Sequence, residues 1–516
     1  MSNSPKAVSA MIWDFLGKGI LTMVRFAESI VLVRLMGNLD YGVLSVYLNL
    51  LATLLFLCSF GMEGVIGKFV PAFRVEQQSG TIKSLIRLAF RFRGAGVFLV
   101  ILAGLLVTQP LNQWLIGDEQ VLQSHNVALY LLIILATLGL GSFQELVRRI
   151  LVTYYEQRWI NLVDLICYVA YLTGAWIAVA QGWGVLGVLY ANILAKAGLL
   201  IFFSFRMIPH YRKLGNSQPI LPDQQTSIRQ YAVYFYIYHL MLYALGKGAD
   251  IFIIGAYAPD ARQVTFYTIA YNFAFFAGSF FELALQGGFL LPFITEVYHQ
   301  KNTKKLKQIY NGLFEFIYLF TIPMTVGGIV LSSEIVELFY GAENLETVPL
   351  LMLFFLHFAI IKVGVMNASF MLAMDQQKVL IQSRLFWGVV NVVVNLLLVQ
   401  QYQAMGVVWG TLVTGLFASA YESWRLHQLI HPDYSLKFSI KVLSASFLMG
   451  AAVYGSGLCV FPLLMLRFSG LIVVGMLVYG FCLVWLKPIS RENIEILQRS
   501  KLPLQRYWLK WFAQKS

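Results

Sequence analysis

Long apolar segments recur along almost the whole chain, and they constrain the fold more than any other feature. A helix of about 20 apolar residues crosses a membrane hydrocarbon core about 30 Å thick. With 59% apolar and 12% charged residues and a mean hydropathy of +0.70, the chain has more apolar surface than a soluble core can bury. The sequence therefore predicts an all-α polytopic membrane protein. About fourteen such segments can be placed, with approximate limits at 11–36, 41–62, 85–108, 125–147, 159–180, 184–205, 231–257, 264–291, 309–331, 347–373, 379–400, 404–424, 438–460 and 464–486.

Basic residues are concentrated in alternate connections between these segments. Most of the 38 Lys and Arg lie in or beside one set of connections, whereas the opposite set keeps only Arg34, Arg262 and Arg467. The positive-inside rule then places both termini in the cytoplasm of a cell inner membrane. The net charge of +13 is explained by this topology and by contact with anionic membrane lipids, and we expect no nucleic-acid partner.

An internal repeat divides the chain. Arg25 and Glu28 lie three residues apart, as do Lys247 and Asp250, and both members of the second pair lie 222 positions after those of the first. Because each half has an even number of spans, the repeats are expected to be parallel. The predicted organisation is an N-lobe with six spans (1–208), a Pro- and Gln-rich cytoplasmic linker (209–230), a C-lobe with six spans (231–430), two extra spans (431–487) and an interfacial cytoplasmic tail (488–516).

Charged residues within the apolar segments are the candidate functional residues. A charge at bilayer depth is costly, so such side chains face protein or water. Arg25, Lys247 and Lys362 are candidate substrate-binding cations. Their i,i+3 neighbours Glu28 and Asp250 are expected to form ion pairs with Arg25 and Lys247. A purely structural role for these pairs is the alternative.

Acidic residues in the same segments are candidates for binding a coupling proton or sodium ion, because a desolvated carboxylate can load and release a proton. They are Glu28, Asp250 and Glu282. Asp164 and Lys196 form a further candidate pair across the first lobe.

No motif in the sequence indicates enzyme chemistry. The four cysteines show no Cys-x-x-Cys spacing, and the histidines within spans stand singly, so we predict no metal site and no cofactor. A membrane-embedded glycan polymerase or ligase is an alternative of the enzyme class. The outer connections are under about 25 residues, near the ordinary range for loops, which disfavours a catalytic domain.

Short motifs in both halves resemble one known superfamily. The sequence is similar to the polysaccharide (oligosaccharide-lipid) flippases of the multidrug/oligosaccharidyl-lipid/polysaccharide exporter superfamily. The resemblance rests on Arg34-Leu35-Met36-Gly37, Tyr41-Gly42, Gly61 and Lys68-Phe69-Val70 in the first half, and on Asp250-Ile251-Phe252-Ile253-Ile254-Gly255 and Tyr267 in the second.

This resemblance implies two lobes around a central cavity and alternating access. The implied cargo is an undecaprenyl-pyrophosphate-linked glycan that moves from the cytoplasmic to the outer leaflet, with other glycan-assembly proteins as further partners. Arg25, Lys247 and Lys362 would then supply positive charge to the pyrophosphate. A cation-coupled multidrug exporter of the same fold is the main alternative.

Overall fold

The computed structural model describes residues 4–244, 246–285, 290–433, 435–457 and 464–486. Over these ranges the chain forms eighteen α-helices and one 3₁₀ helix, and no strand. The α-helices are α1 Ser4–Leu57, α2 Met62–Val75, α3 Ser79–Leu106, α4 Thr108–Leu115, α5 Glu119–Ser124, α6 Val127–Thr153, α7 Gln157–Ala180, α8 Gly184–Arg212, α9 Pro222–Ala244, α10 Lys247–Tyr257, α11 Arg262–Leu285, α12 Leu290–His299, α13 Thr303–Val330, α14 Ser332–Tyr340, α15 Val348–Ala373, α16 Gln377–Ile430, α17 Leu436–Gly457 and α18 Leu464–Leu486; the 3₁₀ helix is Ala342–Thr347.

The two longest helices, α1 and α16, each hold two predicted spans. Both have 54 residues, more than twice the length that a bilayer requires. Each is interrupted at a single residue with positive φ, Gly37 in α1 (φ 77°) and Gln403 in α16 (φ 51°). Ten described segments are long and apolar enough to cross a membrane. With α1 and α16 divided at these residues, and with α9–α10 and α11 added, described helices lie at every predicted span, so the all-α polytopic fold is confirmed.

Two predicted boundaries are wrong. The seventh span, 231–257, is two helices, because α9 ends at Ala244, Gly246 is extended (φ −128°, ψ −175°) and α10 begins at Lys247. The third span, predicted at 85–108, begins six residues earlier, because α3 starts at Ser79. Arg93 lies inside α3 and is only 1% exposed. Its charge is satisfied inside the protein by Glu63.

The internal repeat is visible in the helix boundaries. Helices α3 and α13 both have 28 residues, and their first residues, Ser79 and Thr303, are 224 positions apart. The left-handed residue before α7, Tyr155 (φ 62°), has its counterpart before α16 in Asp375 (φ 58°), 220 positions later. The same local backbone conformation therefore recurs in both halves, which confirms the duplication.

The described residues form two compact units. Unit 1 contains the residues up to 285 together with 388–410, and unit 2 contains 290–387 and the residues from 411 onward. In unit 1, α8 packs against α6 and α7, and α1 packs against α7 and α11. In unit 2, α13 packs against α15 and α17, and α17 packs against α18. The predicted linker 209–230 covers the end of α8, the connection after it and the start of α9; the predicted interfacial tail 488–516 lies outside the described residues.

Candidate functional site

The carboxylate of Glu28 is held by two tyrosines of α7. Tyr171 Oη donates to Glu28 Oε1 at 2.7 Å, and Tyr168 Oη donates to Glu28 Oε2. The two tyrosines share one face of α7 because they lie three residues apart. The guanidinium carbon of Arg25 lies 6.0 Å from the centre of the Tyr168 ring, at the outer limit of a cation–π contact. Tyr168 thus connects the acid and the cation of the first predicted pair.

Lys247 is placed by the break between α9 and α10. Its Nζ donates to Asn272 Oδ1 at 2.8 Å and lies 5.3 Å from the centre of the Tyr271 ring. The chain at the break is fixed by α1, because Asn49 Nδ2 donates to the carbonyl of Gly248 at 2.9 Å. A Cβ atom at Gly248 would lie 2.0 Å from the end of the Tyr243 side chain, so a larger residue here would require that ring to move.

The first and second cations belong to one neighbourhood of unit 1. Phe26, next to Arg25, stacks on Phe276 with ring centroids 4.0 Å apart and meets Phe273 edge-on at 5.4 Å. This packing sets the Arg25 region of α1 against the part of α11 that carries Asn272, the partner of Lys247. The structure therefore brings Arg25, Glu28 and Lys247 together.

Asp250 is fully buried one helical turn after Lys247, at 0% exposure. Its Oδ2 accepts a hydrogen bond from Tyr267 Oη at 2.7 Å, and its Oδ1 accepts one from Asn395 Nδ2 at 2.8 Å. Asn395 Nδ2 also lies 3.3 Å from Asn391 Oδ1. Asp250 thus accepts hydrogen bonds from uncharged groups on α11 and α16.

These partners differ from the ion pairs that the sequence predicts. Among the described side chains, neither Arg25 with Glu28 nor Lys247 with Asp250 comes within ion-pair distance, and Asp164 accepts from Arg148 Nη2 at 3.0 Å instead of pairing with Lys196. The i,i+3 spacing places charges on one helix face, but buried charges take whichever hydrogen-bond partners the packed helices bring closest.

The remaining predicted residues lie elsewhere. Lys362 is in unit 2 on α15, is 2% exposed, and has its Nζ 4.8 Å from the centre of the Phe358 ring. Glu282 lies on α11, and its side chain is outside the described residues.

Several buried charged residues are not among the candidates predicted from the sequence. In unit 1, Arg93 Nη2 is 2.5 Å from Glu63 Oε1, and Arg93 Nη1 donates to the carbonyl of Leu55. In unit 2, Arg384 pairs with the fully buried Glu422 at 3.0 Å. The sequence does indicate Glu422, because it is an acidic residue inside the predicted span 404–424. Arg93 likewise lies inside a predicted span, 85–108, but it follows the basic residues Arg87 and Arg91, which favours a cytoplasmic connection.

We expect loss of a tyrosine hydroxyl on Glu28 to destabilise unit 1. Tyr171→Phe removes a hydrogen bond to a carboxylate, a bond that contributes about 2 kcal/mol in a protein interior. Thermal unfolding of the purified protein should therefore begin at a lower temperature. Tyr190→Phe, at a 41% exposed tyrosine on the adjacent α8, is the matched control. Equal midpoints for the two variants would show that the Glu28 contact contributes nothing to stability.

The fold and these charges define the class of protein: a multi-pass membrane protein with ionisable side chains held inside its spanning helices. A model of the family described as polysaccharide biosynthesis protein matches residues 31–349. The chain belongs to this family.

One characterised relative and two solved structures extend this result. Lipid II flippase MurJ of Bacillus subtilis (strain 168) is 31% identical over 171 residues, and the match covers 32% of this chain and 31% of that relative's length. A lipid II flippase MurJ in an inward closed conformation superposes with a TM-score of 0.69 at 15% identity, over 93% of this chain and 97% of that one. An inward-facing multidrug resistance MATE family transporter of the MOP superfamily superposes with a TM-score of 0.65 at 12% identity. The match covers 80% of this chain and 96% of that one. The two structures share the fold of this chain.

Proposed function

We propose that the protein is a flippase that moves a lipid-linked oligosaccharide or polysaccharide precursor across the cytoplasmic membrane by alternating access. The observation that carries this proposal is the neighbourhood of Arg25, Glu28 and Lys247 inside spanning helices. Membership of a polysaccharide biosynthesis family and the local similarity to a lipid II flippase support it.

The cations suit the pyrophosphate of such a precursor. Phosphate oxygens accept charge-assisted hydrogen bonds, and a guanidinium can offer two in parallel. Arg25 has an exposed side chain, and no described carboxylate pairs directly with Arg25 or Lys247. Glu28 lowers the local excess of positive charge. The cargo is therefore held less tightly, which allows its release as well as its binding. Lys362 is proposed as a third cation, acting in unit 2.

Asp250 is the proposed site for a coupling ion. Its carboxylate is fully buried and accepts hydrogen bonds from two uncharged groups, Tyr267 Oη and Asn395 Nδ2. Binding of a proton or a sodium ion would neutralise a charge that is costly at this depth. Glu28 and Glu282 are the secondary candidates. Transport that is indifferent to both proton and sodium gradients in proteoliposomes would contradict a coupling role for all three.

The proposed location is the cell inner membrane with both termini in the cytoplasm. The basis is the concentration of Lys and Arg in alternate connections. Labelling of single engineered cysteines in those connections from either side of intact cells tests the orientation.

The second candidate is a cation-coupled multidrug exporter of the same fold. The buried Asp250 is the observation that favours it, since an acid inside a span suits a cationic cargo. The presence of Arg25 and Lys247 in the same unit argues against a cationic cargo, because like charges repel.

A transport assay separates the two. The purified protein in proteoliposomes receives either a fluorescent polyprenyl-pyrophosphate oligosaccharide, with transbilayer movement followed by a membrane-impermeant quencher, or a cationic dye. If the protein is a flippase, we expect the glycolipid to cross the bilayer faster than in empty liposomes, and we expect no accumulation of the dye. Dye transport without glycolipid movement would support the exporter instead.

A further inference from the structure

A second basic site lies in unit 1, away from Arg25 and Lys247. It is a cavity of about 340 Å³, a size at the lower end of ligand-binding pockets. The ends of four helices form it: the end of α2, the start of α3, and the ends of α6 and α8. Its lining residues are Arg74, Gln77, Ser79, Ile82, Tyr154, His210, Lys213 and Leu214.

Arg74 is held rigidly and keeps unused donor capacity. Its Nη1 donates to the carbonyl of Thr153 at 2.7 Å, and its guanidinium carbon lies 4.3 Å from the centre of the Tyr154 ring. Arg74 Nη2 and Tyr154 Oη are both buried, and neither has a hydrogen-bond partner among the described residues. Buried polar groups are nearly always satisfied by protein, water or a bound group. These two atoms therefore point to a missing acceptor.

Glu156, the acid that contacts the lining residue His210, already has other partners. Glu156 accepts two hydrogen bonds from Arg206, both at 3.0 Å, and its other oxygen is 2.9 Å from His210 Nε2. Neither Arg74 nor Lys213 forms an ion pair within the described ranges. Burial raises the pKa of the Tyr154 phenol, so its hydroxyl remains protonated and able to donate. The cavity thus combines a neutral donor with two cations, Arg74 and Lys213, that form no ion pair within the described ranges.

The geometry points to a binding site for a phosphate group in this cavity. Phosphate oxygens match the guanidinium fork and the point charge of a lysine. The helices end here in the basic connections that the positive-inside rule assigns to the cytoplasm, and basic pockets between spanning helices on that side bind phosphorylated lipid headgroups. The phosphate group can belong to a lipid headgroup or be free inorganic phosphate.

Native mass spectrometry of the full-length purified protein tests the site. The pocket variant combines Arg74→Gln with Lys213→Gln. The matched control combines Arg158→Gln with Arg212→Gln, which removes two exposed cations at neighbouring helix ends that do not line the cavity. The probes are phosphatidylglycerol, diacylglycerol as the phosphate-free analogue, and inorganic phosphate.

We expect the wild type and the control to bind phosphatidylglycerol at least about tenfold more tightly than the pocket variant, from the loss of charge-assisted hydrogen bonds. Competition by millimolar inorganic phosphate, without preference for the lipid, would identify free phosphate as the occupant. Equal binding by both double variants, or equal binding of diacylglycerol, would overturn the proposal. If the pocket variant does not fold, the exposed Lys213→Gln alone replaces it, with Arg212→Gln as its control.

Discussion

Replacement of Lys247 by alanine is expected to reduce glycolipid transport about a hundredfold. A charge-assisted hydrogen bond to a phosphate in a dry site contributes about 1.5–3 kcal/mol, and 1.4 kcal/mol corresponds to a factor of ten. The substitution should weaken binding of the cargo more than it weakens the fold, because in the structure Lys247 donates one hydrogen bond to the neutral Asn272. Lys247→Arg keeps the charge and should retain most of the transport.

Lys83→Ala is the matched control for this experiment. Lys83 also lies in unit 1, 5.3 Å from the centre of a tyrosine ring, and it donates one hydrogen bond to a backbone carbonyl, that of Gly215. Its removal changes the same charge in a similar local contact, but outside the Glu28 neighbourhood. If Lys247→Ala transports as well as Lys83→Ala at equal protein level, Lys247 does not bind the cargo.

Replacement of Asp250 by alanine is expected to lower the free energy of unfolding by about 4 kcal/mol. The substitution leaves Tyr267 Oη and Asn395 Nδ2 in the protein interior without the acceptor that they now share. Each hydrogen bond to a charged group contributes about 1.5–3 kcal/mol. Equilibrium unfolding in detergent micelles, followed by circular dichroism, measures the difference.

Asp260→Ala is the comparison for Asp250. Asp260 belongs to the same unit, but its side chain is 29% exposed and pairs with Arg262 near the surface, so its loss should cost no more than about 1 kcal/mol. Similar destabilisation by the two substitutions would mean that the contacts of Asp250 contribute little to stability. Its burial would then have to be explained by function alone.

The positions of the helices could be predicted because bilayer thickness fixes helix length and apolar composition marks each span. The repeat also followed from the sequence, since Arg25 with Glu28 and Lys247 with Asp250 kept their spacing. The break before Lys247 could not be predicted, because it depends on Asn49 of α1, which donates to the carbonyl of Gly248 from 199 positions away along the chain.

The partners of the charged residues could not be predicted either, because they too lie far away along the chain. The hydroxyls that bind Glu28 lie 140 and 143 positions away along the chain, and nothing local indicates them. Arg93 is the clearest case, since it follows other basic residues in the sequence and its partner Glu63 lies 30 positions away along the chain.

Binding of the cargo itself tests the central claim most directly. The affinity of the purified protein is measured for a polyprenyl-pyrophosphate oligosaccharide and for the same glycan on polyprenol without the pyrophosphate, with the wild type and with the Arg25→Gln, Lys247→Gln double variant. We expect tight binding of the pyrophosphate form by the wild type, and an affinity at least about tenfold weaker when either the pyrophosphate or the two cations are removed. Equal affinity for both lipids, or an unchanged affinity in the double variant, would contradict binding of the pyrophosphate by Arg25 and Lys247.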